Sequence, residues 1–161
     1  MKPIVAILMG SDSDADYLKP CGEVLREFGV PFETKVLSAH RTPDETVSFT
    51  KSAKRNGIRV MIAAAGGAAH LAGVVAANTP LPVIGIPVET AALKGLDSLL
   101  STVQMPAGIP VATVAVGSGG VRNAAFLALR ILALSDPKLE KALEDYKNKN
   151  RDKILNKKVT L

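Results

Sequence analysis

The sequence predicts a doubly wound α/β fold, in which a parallel β-sheet lies between two layers of helices. Five short apolar segments of strand length alternate along the chain with segments of helical periodicity. Four of the five are continuous apolar runs, as is typical of strands in a parallel sheet that is buried on both faces. The length of 161 residues suits one domain with its own core. We therefore expect a single-domain, flavodoxin-like three-layer sandwich with a central parallel sheet.

The predicted strands cover residues 4–9, 32–37, 60–65, 83–88 and 111–116. The second is more mixed in polarity than the others, so it is expected nearer an edge of the sheet. After the first strand, apolar residues recur with helical spacing from Tyr17 to Phe28, and Gly29 is placed to end that helix. Pro20 lies inside this pattern and predicts a kink or a delayed start, because an interior proline costs about 3 kcal/mol.

The second helix is predicted over residues 43–56, with Gly57 at its end. Thr42 is expected to cap its N-terminus, Pro43 presets the first turn, and Glu45 completes a capping box. A helix N-terminus favours anions, because its free N–H groups and its dipole both attract negative charge.

The C-terminal part of the chain predicts contacts between subunits. Segment 123–134 is apolar on nearly all faces except at Arg130, so something must cover it. An extended C-terminal helix follows, with an apolar stripe that includes Leu139 and Tyr146, and apolar residues continue into the tail. We therefore predict a homo-oligomer in which residues 147–161, a basic helix and tail, pack on a neighbouring subunit.

Charge and hydropathy argue against nucleic acid and membrane as partners. Residues 147–161 hold six basic side chains and one carboxylate, which accounts for the whole net charge of +5. No aromatic residues accompany this tail for base stacking, so nucleic acid is not expected. The first apolar run is far shorter than the roughly 20 residues that a spanning helix needs, and no signal peptide is recognisable. A cytoplasmic protein is expected.

Several classes of site are not indicated by the sequence. The single cysteine, Cys21, cannot form an internal disulfide, and its place on an apolar stripe predicts burial. The two histidines are not at helical spacing, and the acidic cluster at 12–16 lacks the rest of a calcium loop, so no metal is expected. No glycine loop carries a dinucleotide fingerprint or a Walker lysine. A triad of Ser11, His40 and Asp14 would lack a nucleophile elbow.

The polar segment 38–41, after the second strand, is the candidate reactive loop. His40 carries an imidazole, the group whose ordinary titration near neutrality suits a general acid or base. Arg41 can bind a phosphate or carboxylate with two hydrogen bonds. Ser38 and Ala39 lead into this pair. A solvated loop histidine and arginine is the alternative interpretation.

The loop after the first strand predicts a phosphate and ribose site. Gly10 starts a turn in which Ser11 and Ser13 can cap a helix and bind a phosphate, while Asp14 could accept hydrogen bonds from ribose hydroxyls. An ordinary helix cap has the same pattern. Because the carboxyl ends of parallel strands share one edge of the sheet, this loop is expected near His40.

The loop after the third strand consists of small residues that let a ligand approach the backbone. The candidate binding residues here are Gly66, Gly67, Ala68, His70 and Leu71. His70 could take part in chemistry or could only close the loop. The later segment 104–110, rich in proline and glycine, is expected to be a wall of the site.

Four motifs follow one another in order along the chain. They are Gly-Ser-Asp-Ser-Asp at 10–14, Ser-Ala-His-Arg-Thr-Pro at 38–43, Ala-Gly-Gly-Ala-Ala-His-Leu at 65–71, and Asp-Ser-Leu-Leu-Ser at 97–101 leading to Gln-Met-Pro at 104–106. In this order, and over nearly the whole chain, they resemble the class I N5-carboxyaminoimidazole ribonucleotide mutase (PurE) family. Ala72 stands where that family usually has proline.

The resemblance implies a homo-octamer that interconverts N5-carboxyaminoimidazole ribonucleotide and 4-carboxy-5-aminoimidazole ribonucleotide in purine (IMP) biosynthesis, without metal, ATP or organic cofactor. It implies phosphate and ribose contacts at Ser11, Asp14 and Arg41, and a general acid/base at His40. The loop ending at His70 would hold the migrating carboxylate. Carbon dioxide released into a closed pocket that admits little water would be recaptured by the ring carbon.

Three other functions remain as alternatives. The first is the sister carboxylase, which uses aminoimidazole ribonucleotide and free carbon dioxide. Its reactive loop resembles Ser-Ala-His-Lys-Thr, so Arg41 and Pro43 favour the mutase. The second is a non-catalytic flavin- or nucleotide-binding module, and the third is a structural assembly protein whose loops only cap helices.

Overall fold

The computed structural model describes residues 2–159. Its sheet has five parallel strands in the order β2-β1-β3-β4-β5, the order of flavodoxin-like folds. The single-domain α/β prediction is therefore confirmed. The strands are β1 Val5–Met9, β2 Phe32–Val36, β3 Val60–Ala65, β4 Val83–Pro87 and β5 Ala112–Thr113. The helices are α1 Ala15–Glu27, α2 Pro43–Ala53, α3 Leu71–Ala77, α4 Leu96–Val103, α5 Ser118–Ala133 and α6 Pro137–Leu155.

Alternate side chains of the strands pack into two separate hydrophobic cores, one on each face of the sheet. Val5 and Ile7 of β1 point to one face, where α1 and α5 cover them. Ala6 and Leu8 point to the other, where α2 and α3 lie. Both faces of the central strands are thus dry, which explains their continuous apolar sequences.

Helix α4 lies on the same face as α3 and approaches β4 closely. A Cβ atom added at Gly85 would lie 2.5 Å from Thr102 Cγ2 and 2.8 Å from Val111 Cγ1. Glycine at this strand position therefore lets α4 sit directly on the sheet.

The fifth strand is much shorter than the predicted span of 111–116. Only Ala112 and Thr113 pair with β4, and Val114 adds one hydrogen bond to the Gly85 carbonyl. The chain then turns to enter α5, so closely that a Cβ at Gly120 would meet the Ala115 carbonyl. The prediction of a central strand here is wrong: β5 is a short edge strand with one neighbour. The edge position expected for β2 is confirmed.

Helix boundaries differ from the prediction at two places. Helix α1 begins at Ala15 and continues through Pro20, so the delayed start is wrong. A short 3-10 turn, Asp12–Asp14, leads into it. Helix α2 ends at Ala53, before the predicted Asn56, and a turn carries the chain to Gly57, whose φ is +102°.

Helices α5 and α6 complete the outer layer. Phe28, Phe126 and Tyr146 form an aromatic cluster that joins α1, α5 and α6, with ring centroids 4.8–5.8 Å apart. Asp136 starts α6 by accepting hydrogen bonds from the N–H groups of Lys138 and Leu139. The extended C-terminal helix is confirmed; the last predicted tail residues, 160 and 161, lie outside the described residues.

Two further expectations have an outcome in the described residues. Cys21 is fully buried, and burial raises the pKa of its thiol to about 12, so the thiolate that reacts is suppressed. No helix within residues 2–159 combines the length and the apolar character of a membrane span.

Candidate active site

A cleft of about 390 Å³ lies at the carboxyl ends of β1, β2 and β3. The strand order reverses between β1 and β3, and such a switch point is where open parallel sheets bind ligands. The cleft is lined by Gly10, Ser11, Asp14, Ser38, Ala39, His40, Arg41, Ala65, Gly66, Ala68, His70 and Leu71. All the candidate residues from the sequence except Ser13 and Gly67 are therefore brought together. Ala65 was missed, although it directly precedes the glycine loop.

The two histidines meet inside this cleft. His40 Nε2 and His70 Nδ1 are 2.8 Å apart, and the rings are nearly perpendicular at 81°. One ring nitrogen must donate the proton and the other must accept it. Two fully protonated rings would oppose two N–H donors, so the pair in this geometry holds at most one extra proton. This arrangement suits a group that gives and takes a single proton.

Arg41 ties the first two loops together. Its guanidinium donates to the Gly10 carbonyl at 2.5 Å and, more weakly, to Ser38 Oγ at 3.4 Å. Ser38 Oγ also accepts the Arg41 backbone N–H at 3.2 Å. The guanidinium is exposed and has further donors, so it can bind an anionic ligand beside the Gly10 turn.

The predicted capping box at the start of α2 is wrong. Thr42 makes no side-chain cap bond to the helix. Instead, its hydroxyl accepts the Ser38 backbone N–H at 2.8 Å and lies 3.1 Å from the Ser38 carbonyl, so it closes the 38–42 turn. The threonine thus shapes the loop that presents His40 and Arg41, a use of the hydroxyl that competes with capping.

The serine turn after β1 is built by its own hydroxyls. Ser11 Oγ accepts the Ser13 backbone N–H at 3.3 Å and the Ser13 hydroxyl at 2.8 Å. Ser11 caps the 3-10 turn, as expected, and also lines the cleft. Ser13 points its hydroxyl at Ser11, which explains why it supports the cleft without lining it.

Asp14 is the acidic group of the cleft. Partial burial raises the pKa of its carboxyl above the ordinary value. The backbone of Ser11, the side chain of Ser13 and the positive charge of Arg41 oppose this shift without cancelling it. A carboxyl whose ionised form is disfavoured by its surroundings is a common mark of a functional site.

This shift predicts that Asp14→Asn raises the melting temperature at pH 7. Because the folded pKa lies above the unfolded value near 3.8, the ionised carboxylate opposes folding at neutral pH. The opposition vanishes as pH falls below the unfolded pKa, so the difference between variant and wild type should shrink there. Differential scanning across pH 3–7 measures this. A variant less stable than wild type at pH 7 would contradict it.

The cleft of a single chain is open to solvent. His40, Arg41 and His70 are all exposed, and so are Gly66 and Ala68. The expected closed pocket with little water is therefore not formed by one chain alone.

A larger groove of about 930 Å³ runs between α5 and α6. Arg122, Arg130 and Lys147 line it together with Phe126 and Tyr146. It shares no lining residue with the cleft and includes no residue that the sequence singled out as catalytic.

A doubly wound sheet with a polar cleft at its switch point defines the class of α/β proteins that bind small ligands beyond their strand ends. Within that class, the family model described as AIR carboxylase matches residues 4–153. This chain belongs to that family.

Three known proteins illustrate this similarity. An N5-carboxyaminoimidazole ribonucleotide mutase from Pyrococcus horikoshii is 53% identical over 95% of this chain and 85% of its own length. The bifunctional purine synthesis protein purC/E of Dictyostelium discoideum is 54% identical over 95% of this chain, but the match spans only 15% of that protein. A crystal structure of Treponema denticola PurE superposes with a TM-score of 0.87 at 32% identity, covering 95% of this chain and 94% of that one.

Proposed function

We propose that this protein is a mutase that interconverts N5-carboxyaminoimidazole ribonucleotide and 4-carboxy-5-aminoimidazole ribonucleotide in purine (IMP) biosynthesis. The name of the Pyrococcus horikoshii relative supports the reaction, over almost the whole of both chains. The observation that carries the mechanism is the contact between His40 and His70 in a cleft that also holds Arg41 and Asp14.

The substrate would lie across the three loops. Its phosphate binds beside the Gly10–Ser11 turn and Arg41, where the exposed guanidinium favours an anion. Asp14 receives the ribose hydroxyls. The imidazole ring then faces Gly66 and Ala68, which have almost no side chain to obstruct a planar ligand. Leu71, Ala39 and Ser38 line the remaining wall.

The reaction needs one proton to leave and one to return. The carbamate C–N bond breaks, carbon dioxide is released into the cleft, and the exocyclic nitrogen takes up a proton. A carbon–carbon bond then forms at the ring carbon, which gives up its proton. His40 moves the proton at the ring carbon, with His70 as its hydrogen-bond partner. The residues hold the two pieces together, and holding reactants in place can lower a barrier by about 7–11 kcal/mol.

The competing function is a carboxylase that takes aminoimidazole ribonucleotide and free carbon dioxide, as the description of the matching family suggests. Proton NMR of the carbamate ribonucleotide with the protein, in the absence of ATP, metal and added bicarbonate, separates the two. Conversion to the ring-carboxylated product supports the mutase. Turnover that occurs only with aminoimidazole ribonucleotide and bicarbonate would replace it with the carboxylase.

We also propose that the protein is a homo-octamer of the cytoplasm, and three observations support the assembly. Leu96, Leu100 and Val103 form an exposed apolar stripe on the outer face of α4. Ile154 and Leu155, at the end of α6, are 63% and 73% exposed. The cleft needs a cover that a single chain lacks. Neighbouring subunits would meet all three needs, with residues 147–161 packing on one of them. A substrate from nucleotide synthesis supports the cytoplasmic location.

Leu100→Asp is expected to lower the oligomer mass and, with it, turnover. Half of the Leu100 surface is exposed in the single chain, 49%, so a charge there disturbs an interface more than the fold. Light scattering after gel filtration should give about eight times the 16.8 kDa chain mass for wild type and a smaller mass for the variant. A monomer mass for wild type at micromolar concentration would contradict the assembly.

A further inference from the structure

We propose that Ser98 and Ser101 of α4 are positioning residues for the glycine loop, and that they set the geometry of the His40–His70 pair through it. This inference rests on the proposed function for its activity readout. The two serines lie outside the cleft and line none of its surface. Their hydroxyl groups nevertheless bind the backbone of the loop that forms one of its walls.

The first contact is made by Ser98, which is fully buried. Its hydroxyl accepts the Gly67 backbone N–H at 2.9 Å and donates to the Val88 carbonyl at 2.6 Å. One side chain thus links the loop after β3 to the end of β4. A buried hydroxyl with both a donor and an acceptor partner is held in one orientation.

The second contact is made by Ser101, one helical turn further along. Its hydroxyl accepts the Ala69 backbone N–H at 3.0 Å. The same hydroxyl can donate its proton to the Asp97 carbonyl, whose oxygen lies 2.7 Å from Ser101 Oγ, or to the Gly67 carbonyl at 3.1 Å. Residues at i and i+3 share one face of a helix, so the inner face of α4 presents two hydroxyls to one loop.

Along the loop, residues that bind the serines alternate with residues that line the cleft. Gly67 and Ala69 turn their N–H groups to the serines and do not line the cleft, whereas Gly66 and Ala68 line it and are exposed. With Gly67 at a φ of +66°, the chain takes a left-handed step that favours glycine. Fixing every second residue from behind presents the intervening residues to the substrate.

His70, the residue after Ala69, connects the serine contacts to the proposed acid/base. Its Nδ1 contacts His40 Nε2 at 2.8 Å. The Ala69 N–H donates to Ser101 Oγ and also lies 2.8 Å from the Gly67 carbonyl, and these contacts together fix the backbone from which the His70 side chain starts. If the loop relaxes, the two rings separate, and a displacement of about 1 Å in a catalytic group can reduce a rate about a hundredfold.

The test compares Ser101→Ala with two matched variants. Ser101→Thr keeps the hydroxyl at a half-buried position, and it should restore turnover. Thr102→Val removes the neighbouring buried hydroxyl, whose one acceptor within residues 2–159 is the Ser98 carbonyl of its own helix. It reports what losing a hydroxyl from α4 does by itself. Ser98→Ala is measured alongside, and if it does not fold the Ser101 variants decide the matter.

Ser101→Ala should lower kcat at least about tenfold, while the Kd for aminoimidazole ribonucleotide changes less than about threefold. Hydrogen–deuterium exchange should speed up in peptides that cover residues 66–71, and in Thr102→Val it should not. Equal kcat in wild type and Ser101→Ala would overturn the proposal. So would an equal loss in Thr102→Val, or a threonine variant as slow as the alanine one.

The exchange measurement keeps the two proposals apart. If wild type converts neither the carbamate ribonucleotide nor aminoimidazole ribonucleotide, the proposed function fails, but faster exchange at 66–71 in Ser101→Ala still supports the positioning role of the serines. If wild type is active and exchange at 66–71 is unchanged by Ser101→Ala, the positioning role fails and the proposed function stands.

Discussion

Replacing His40 by asparagine is expected to reduce kcat by about 10²- to 10⁴-fold, the range that a positioned general acid or base contributes. Asparagine has a polar amide that can still hydrogen-bond to His70 Nδ1, but the amide cannot carry a proton to and from carbon. Arg41, Ser11 and Asp14 are left in place. The Kd for aminoimidazole ribonucleotide should therefore stay within about threefold of wild type. Turnover by proton NMR and affinity by calorimetry measure both quantities.

A double variant makes this test sharper. The two histidines share one hydrogen bond, so they should act as a unit, and removing the second after the first should have little further effect. We expect His40→Asn/His70→Asn to be about as slow as His40→Asn alone. If the effects of the two substitutions on kcat multiply, the histidines act independently, and the hypothesis that they share one proton is wrong. Near-normal turnover of His40→Asn would refute the assignment of the acid/base itself.

The sheet and the three loops were predictable because their signals are local. A central strand is dry on both faces, so it is written as an apolar run such as 60–65, and the loop after it starts with glycines. Once strands are parallel, their carboxyl ends must share one edge. His40 and His70, thirty residues apart in sequence, were therefore expected at the same edge of the sheet, although their direct contact was not predicted.

The errors come from features that depend on distant partners. Segment 111–116 is as apolar as a central strand, but only β4 borders it, and the chain must turn at once into α5. Thr42 lies at the position of a helix cap, yet its hydroxyl binds the Ser38 backbone instead. A threonine hydroxyl can serve either a cap or a turn, and the sequence does not show which. Ser98 and Ser101 were visible as part of a motif, but nothing in their spacing indicated which loop they would bind.

The solvent exposure of the cleft could not be predicted from the sequence either. Small residues such as Gly66 and Ala68 predict close approach of a ligand, but not what covers the ligand afterwards. One chain leaves these residues exposed. The same chain leaves the apolar stripe on α4 and the end of α6 uncovered. The proposed assembly would supply both a lid for the cleft and a cover for these apolar surfaces.

Replacing Arg41 by alanine is expected to weaken ribonucleotide binding about tenfold to a hundredfold, since a charge-assisted hydrogen bond contributes about 1.5–3 kcal/mol. The guanidinium lies against the Gly10 carbonyl, beside the turn where the phosphate would sit. It is exposed, so its loss should change the melting temperature little. Arg41→Lys keeps the charge without the planar fork and should fall between wild type and alanine.

Two comparisons show whether Arg41 binds the phosphate or only holds the loop. Arg55→Ala removes the same charge from an exposed position past the far end of α2, so it controls for long-range attraction and should leave affinity unchanged. The second comparison uses the riboside of aminoimidazole, which has no phosphate. Wild type should prefer the ribonucleotide, and Arg41→Ala should lose most of that preference because the lost contact is specific to the phosphate. If alanine weakens riboside and ribonucleotide equally, Arg41 acts only by tying the Gly10 and Ser38 loops together, and the phosphate lies elsewhere.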